Sequence, residues 1–133
     1  MPGTLTFLKA STLSCAAVTA WSALYGGKPL LPGHYVLPHG TGGLALAAGA
    51  RVIATTSSDD KAERLKKLGV ETVINYAQDP AWGETAKSFT PGNRGFQHII
   101  EVGGGGTMAQ SLKAVAIDGA ISIVGFLTGD VKQ

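Results

Sequence analysis

The chain has 133 residues, of which 44% are hydrophobic and 15% charged, and this balance predicts one compact globular domain over residues 1–133. The net charge is only +2 and the Lys and Arg residues are scattered along the sequence, which argues against nucleic acid as a partner. No apolar run reaches the roughly 18 residues needed to span a bilayer, so we expect no membrane partner and a cytoplasmic location.

The predicted elements alternate between helix and strand along the chain. Residues 11–25 form the first predicted helix, within a leading helical segment 1–28, because apolar positions recur every three or four residues and Gly26 and Gly27 follow. Further helices are expected at 43–50, 57–69, 79–89 and 107–116, and strands at 34–37, 51–55, 71–76, 96–102 and 120–126. This alternation predicts an α/β fold, a doubly wound parallel sheet (Rossmann-like) of about five strands in the order 3-2-1-4-5.

A glycine-rich turn follows the first predicted strand. Gly40, Thr41, Gly42 and Gly43 open the pattern G-x-G-x-x-A, which ends at Ala45. In this pattern the first glycine makes the tight turn, the second lets a pyrophosphate approach the backbone, and the small last residue lets the helix pack close to the strand. The turn therefore predicts binding of a dinucleotide cofactor, although a glycine-rich turn alone is also common as plain structure.

With these residues in view, the chain resembles the medium-chain dehydrogenase/reductase superfamily, and within it the fungal zinc-type alcohol dehydrogenase-like oxidoreductases. The blocks that carry the likeness are LSCAAVTAWSALYGGKPL, VLPHGTGG, GARVIATTSSDDKAERLKKLGVETVINY, HIIEVGGGGTMAQSLKAV and ISIVGFLTG. The likeness covers residues 5–129 and only the cofactor-binding domain of the family, without the catalytic domain or the sixth strand of the sheet. It implies an oxidoreductase domain that binds a nicotinamide cofactor and acts on a small-molecule substrate.

The end of the second predicted strand indicates which nicotinamide cofactor is preferred. An NAD site places an acid there to hold the ribose hydroxyls, but here the strand ends in Thr55–Ser58, with Lys61 one helical turn later. Hydroxyls and a cation suit the 2′-phosphate of NADP(H) better than a carboxylate would. By resemblance, the positions that match cofactor contacts in NADPH-dependent relatives are Ser57, Lys61, Tyr76, Val102 and Gly103. Ser57 and Ser58 also suit helix capping, a role compatible with the first.

The chain departs from the family between the glycine turn and the second strand. Family members carry about seven more residues there, which is two helical turns, so the apolar face of the helix drifts by only about 20°. The helix that is left is about 12 Å long, against about 16 Å of return path for a five-residue strand. We therefore expect a short crossover that leaves apolar surface uncovered and lowers stability.

The remaining candidates for chemistry are Cys15 and the three histidines. The resemblance implies that a cysteine at this position ligates zinc in zinc-dependent relatives. One ligand cannot make a tetrahedral site, so we expect no metal and predict that Cys15 is a small buried side chain. His98 is predicted to be a hydrogen-bonded core histidine and His34 to be exposed. His39 lies where the first strand delivers its C-terminal end, the edge at which such sheets bind ligands, and is the candidate catalytic residue.

Three functions are compatible with these features. The first is an NADP(H)-binding oxidoreductase-like domain related to the zinc-type alcohol dehydrogenases, acting on an unknown small metabolite. The second is a stand-alone non-redox enzyme, an isomerase or cyclase, in which His39 is the acid or base and the amides of Gly40 to Gly43 hold an oxyanion. The third is a cofactor-less pseudoenzyme with an interaction role. The apolar edge strand at 121–126 predicts a homodimer, because an unprotected edge pairs readily with another chain.

Overall fold

The computed structural model describes residues 3–40 and 42–128. They form one five-stranded, all-parallel sheet in the order β3-β2-β1-β4-β5. The strands are β1 Tyr35–Pro38, β2 Arg51–Thr56, β3 Thr72–Asn75, β4 Phe96–Glu101 and β5 Val115–Ile123. The predicted fold class and strand order are confirmed.

Helices cover both faces of the sheet. They are α1 Phe7–Ser11, a π-helical turn Leu13–Ala17, α2 Val18–Tyr25, α3 Gly43–Ala47, α4 Asp59–Lys67, α5 Trp82–Ser88, a 3₁₀ turn Pro91–Asn93 and α6 Gly105–Ala114. Within the described ranges, none of these helices has the length and apolar character needed to cross a membrane.

Alternating side chains of the central strands divide the core into two layers, since successive residues of a strand point to opposite faces. Val36 of β1 and Val52 of β2 pack with α2, α3 and α4 on one face. Leu37 and Ile53, one residue further along each strand, pack with α5 and α6 on the other. The connections that leave β1 and β4 therefore run to opposite faces, which opens a crevice at the C-terminal ends of these two strands.

The last strand begins earlier than its sequence pattern predicts. The predicted helix at 107–116 ends at Ala114, and the backbone becomes extended at Val115, which pairs with Phe96 of β4. Residues 116–119 then bulge out of the ladder, and pairing resumes between Ala120 and His98. At its other end α6 begins earlier than the predicted residue 107, because Gly105 and Gly106 already belong to the helix.

The N-terminal helical segment packs loosely against the sheet. None of residues 3–17 is buried, and Leu24 is the buried residue of α2. The prediction that Cys15 is buried is wrong, because this cysteine lies in the π-helical turn and is exposed. The predicted helix starts earlier as well, at Phe7 instead of residue 11.

The crossover between β1 and β2 is short, as expected from the sequence. Helix α3 has five residues, and a cavity of about 340 Å³ lies between the glycine turn, the end of β2 and the exposed side of α4. Leu65 of α4 and Leu68, the residue that follows this helix, line this cavity, and Leu68 is 63% exposed. A longer α3 would be placed to cover this apolar surface.

Lengthening α3 is expected to stabilise the chain. Seven helix-forming residues with an apolar face, inserted between Ala47 and Ala48, should bury Leu68 and gain about 1.5–3 kcal/mol for one large apolar side chain. In a chain of this size, that gain should raise the melting temperature by about 5 °C or more, measured by calorimetry. A seven-residue Gly/Ser insertion at the same point is the control, since it adds length without apolar surface. Equal melting temperatures for the two insertions would show that the short crossover is already well packed.

Candidate functional site

The glycine turn is built against the end of β1. The backbone N–H of His39 donates to the Ile100 carbonyl oxygen at 3.1 Å, so the chain is still held to β4 where the turn starts. Gly42 adopts a left-handed conformation, with φ 59°, and a Cβ there would lie 2.6 Å from Cγ of Pro38. Only glycine satisfies both conditions, and α3 begins at the next residue, Gly43. Thr41, a predicted cofactor contact, lies outside the described residues.

Most of the predicted site residues surround one cleft. The cavity has a volume of about 200 Å³ and opens at the C-terminal edge of β1, β2 and β4. The predicted residues that line it are His39, Gly40, Ser57, Lys61, Tyr76, Val102 and Gly103. Gly42 and Gly43 line a separate cavity of about 180 Å³, which His39 also borders. The cleft and the 340 Å³ cavity share Gly40 and Lys61, so the two spaces adjoin.

The β2 side of the cleft carries hydroxyls and a cation. Thr55 and Thr56 are buried in the strand, whereas Ser57, Lys61 and Tyr76 are exposed to the cleft. The first acid after the strand is Asp59, whose carboxylate oxygens accept hydrogen bonds from Asn75 at 2.9 Å and Gln78 at 3.2 Å. The Asp59 carboxylate is therefore already hydrogen-bonded to side chains at the end of β3.

The opposite side of the cleft is organised around Glu101, the last residue of β4. Its side chain is fully buried, and Oε1 accepts hydrogen bonds from the backbone N–H groups of Gly103 at 2.9 Å and Gly104 at 3.0 Å. The hydroxyls of Thr107 and Ser111 in α6 also donate to this carboxylate. Burial alone would raise the pKa of Glu101, but these hydroxyl bonds, with the charge that His39 carries when protonated and the Gly104 bond, lower it.

His39 is bound into this carboxylate network. Its Nδ1 lies 3.1 Å from Oε1 of Glu101, its Nε2 lies 3.4 Å from Oγ of Ser111, and its side chain is only 9% exposed. The edge of its ring packs against Trp82, with the ring centroids 5.3 Å apart. Burial lowers the pKa of His39, although the charge of Glu101 acts in the opposite direction, so the ring is neutral at pH 7. Both ring nitrogens thus face protein atoms.

The other two histidines differ from their predicted surroundings. His98 is buried, as predicted, but neither of its ring nitrogens has a hydrogen-bond partner in the described part of the chain. Burial lowers the pKa of His98, which keeps the unpaired ring neutral. His34 is half-buried rather than exposed, and its Nδ1 accepts a hydrogen bond from the Leu31 N–H at 3.3 Å. Their ring centroids are 5.8 Å apart.

No group of three His, Cys, Asp or Glu side chains among residues 3–40 and 42–128 is arranged to hold a metal ion. The expected lack of zinc stays a prediction.

Glu101 is the residue at this site that sequence reasoning missed. A charged residue at the end of the strand FQHIIE, separated by one residue from four glycines, was the available signal. An acid that follows FQHII in a fully covered parallel strand needs donors nearby, because a buried carboxylate without partners is strongly unfavourable. Thr107 and Ser111 supply them from α6.

Comparisons with known proteins agree with this geometry. The family described as zinc-binding dehydrogenase matches residues 39–132. The zinc-type alcohol dehydrogenase-like protein of Schizosaccharomyces pombe is 47% identical, over 97% of this chain and 40% of its own length. The Escherichia coli quinone oxidoreductase complexed with NADPH superposes with a TM-score of 0.87 at 26% identity, over 100% of this chain and 43% of that one. A solved NAD-dependent alcohol dehydrogenase gives a TM-score of 0.80 at 31% identity, over 90% of this chain and 37% of its own.

The comparisons also show how much of its relatives this chain covers. It spans about 40% of the length of the curated relatives that it matches. The alignment with the fission yeast protein has 138 positions, more than the 133 residues available, so the relative has residues that this chain lacks. This agrees with a shortened segment in the present chain. The chain belongs to the zinc-binding dehydrogenase family of the medium-chain dehydrogenase/reductase superfamily.

Proposed function

We propose that this chain is the NADP(H)-binding part of an oxidoreductase related to the zinc-type alcohol dehydrogenases, acting on a small metabolite. The observation that carries the proposal is the end of β2, where Ser57, Lys61 and Tyr76 border the cleft. The carboxylate of Asp59, which could otherwise favour NAD(H), is engaged by two side chains at the end of β3. A cation with hydroxyls beside it is the arrangement that recognises a phosphate.

The residues of the cleft fit this cofactor. Lys61 would pair with the 2′-phosphate, and the hydroxyls of Ser57 and Tyr76 would donate hydrogen bonds to it. Apart from Gly40 itself and its two chain neighbours, no described atom lies within 4 Å of the position that a Cβ would take at Gly40, so the backbone of Gly40 is open to a ligand. Because α3 has only five residues, phosphate binding at the turn depends on its backbone N–H groups more than on the dipole of a long helix. When bound, the cofactor supplies hydride transfer, and the protein supplies its position.

Replacing Lys61 with alanine tests the proposal. The variant loses one charge-assisted contact with the 2′-phosphate, worth on the order of 1.5–3 kcal/mol. NADPH affinity should therefore fall about tenfold or more, whereas NADH affinity, which has no such contact to lose, should stay the same. Both affinities can be measured by titration while the fluorescence of Trp21 and Trp82 is followed.

Lys66→Ala is the matched control, because Lys66 lies on the same helix and is exposed but does not line the cleft. This control should bind both cofactors like the unmutated chain. Equal losses of NADPH and NADH affinity in the Lys61 variant would contradict the phosphate assignment. An unmutated chain that binds neither cofactor would contradict the proposed function itself.

The non-redox alternative requires more of the site. As an acid or base on a bound molecule, His39 would have to turn a nitrogen away from Glu101 or Ser111 and towards the cleft. Enzymatic activity without any nicotinamide, lost in His39→Ala, would support the non-redox function over the oxidoreductase function.

We also propose that residues 1–133 form a single domain and that the protein is cytoplasmic. Its proposed partners are a small-molecule substrate and a second copy of the chain.

A further inference from the structure

Two turns flank the cleft, and they belong to different faces of the sheet. The turn after β1 starts at His39 and leads to α3 on one face, whereas the turn after β4 contains Gly103 and leads to α6 on the other. Packing between α3 and α6 cannot fix the separation of the turns, because the sheet lies between these helices. The separation has to be set at the strand ends.

The carboxylate of Glu101 joins the two turns at this point. On the β4 side it accepts the N–H groups of Gly103 and Gly104, and on the β1 side it lies 3.1 Å from Nδ1 of His39. Ser111 and Thr107 anchor it to α6. A Cβ on Gly103 would be 2.3 Å from Oγ1 of Thr107, so glycine at this position allows the network to close.

We propose that Glu101, acting through His39, is a positioning residue that holds the two turns in the arrangement that binds NADP(H). The proposal rests on the proposed function, since cofactor binding is the property that the arrangement supports. His39 acts in it through the 3.1 Å polar contact of its Nδ1 with the Glu101 carboxylate and does not react with a ligand.

The groups around His39 support this role. Glu101 from β4 is the charged group that faces the ring, whereas Trp82 from α5 and Ser111 from α6 are uncharged. Burial lowers the pKa of His39, so at neutral pH the ring carries one proton, and the carboxylate oxygen 3.1 Å from Nδ1 makes that nitrogen the favourable place for it. A neutral donor that is held by a buried carboxylate and an aromatic edge has one favoured orientation.

Two substitutions of His39 separate hydrogen bonding from packing. Glutamine keeps an N–H donor for Glu101 but has no ring and does not titrate, whereas leucine fills similar space without a donor. In the unmutated chain, His39→Gln and His39→Leu, NADPH affinity is measured by fluorescence titration at pH 7. We expect the leucine variant to bind NADPH about tenfold or more weakly and the glutamine variant to bind within about threefold of the unmutated chain. Unchanged affinity in the leucine variant, or equal losses in both, would overturn the proposal.

Amide hydrogen exchange without any cofactor gives a second measurement. The backbone N–H of residue 39 and those of Gly42, Gly43, Gly103 and Gly104 should exchange faster in His39→Leu and at nearly the unmutated rate in His39→Gln. Identical exchange rates in all three chains would overturn the role of the network, regardless of the NADPH affinities that are measured. If exchange follows the expected order but the unmutated chain binds no NADPH, the network does hold the turns, and it is the proposed function that fails.

Discussion

Replacing Glu101 with leucine is expected to remove several kcal/mol of the folding free energy of this chain. The buried carboxylate accepts hydrogen bonds from two backbone N–H groups and two hydroxyls, and leucine can accept none of them. Each buried donor that loses its partner costs about 1–3 kcal/mol. Leaving these four donors without Glu101 should lower the free energy of unfolding by several kcal/mol. The whole free energy of unfolding of a typical domain is about 5–15 kcal/mol.

Denaturant unfolding, followed by circular dichroism, measures this effect. The control is Glu84→Leu, because Glu84 pairs with Lys113 at 2.9 Å on the surface and is 65% exposed. A surface pair of this kind contributes about 0–1 kcal/mol, so the control should unfold close to the unmutated chain. If both leucine variants unfold at the same denaturant concentration, the carboxylate of Glu101 does not stabilise the fold.

The same carboxylate should make the fold sensitive to acid. Because its hydrogen bonds lower the pKa of Glu101 below the ordinary value of 4.5, its contribution to stability is present above pH 4.5 and is lost as pH falls through the lower value of the folded state. Burial lowers the pKa of His39 and of His98 below 6.5, so the unfolded chain takes up protons more readily than the folded one, and stability already declines below pH 6.5. As pH falls, the free energy of unfolding therefore decreases first through the two histidines, below pH 6.5, and then through Glu101, below pH 4.5.

The order of the strands could be predicted from the sequence because each strand is a short apolar run with a helix before the next. Parallel strands joined by helical crossovers leave few possible topologies. The start of β5 could not be predicted, because Val115 and Ala116 continue the helical pattern and only pairing with β4 makes them extended. Asp118, with φ 60°, and the bulge around it depend on that pairing. Tertiary contacts here override local preference.

The composition of the cleft was easier to predict than its internal contacts. Lys61 and Ser57 could be placed there because the end of β2 and the start of α4 must lie beside the glycine turn in this topology. The polar contact between His39 and Glu101 joins residues that are far apart in the sequence, and no local pattern specifies it. Cys15 was predicted wrongly because burial was inferred from residue type, whereas little of the described chain packs against its helical segment.

Among residues 3–40 and 42–128, no strand pairs with the outer side of β5. The N–H of Val124 donates to the Glu101 carbonyl oxygen at 2.8 Å, so by alternation Ser122 also faces β4, whereas Ile123 faces away from the sheet. The Ile123 side chain is 52% exposed. An apolar edge with free N–H and C=O groups is a template for pairing, and a two-fold homodimer is the simplest closed assembly that it can form.

Ile123→Pro is therefore expected to convert a homodimer of this chain into a monomer. Proline removes the outward N–H of residue 123 and puts a ring in the path of a pairing strand, but it leaves the ladder with β4 in place. A proline at Ser122 would instead break the inner ladder and would not test assembly. Sedimentation velocity should show the unmutated chain as a concentration-dependent dimer and Ile123→Pro as a monomer. Ile123→Thr, which keeps the N–H and the β-branched shape, should remain a dimer. A concentration-independent monomer in the unmutated chain would refute edge pairing outright.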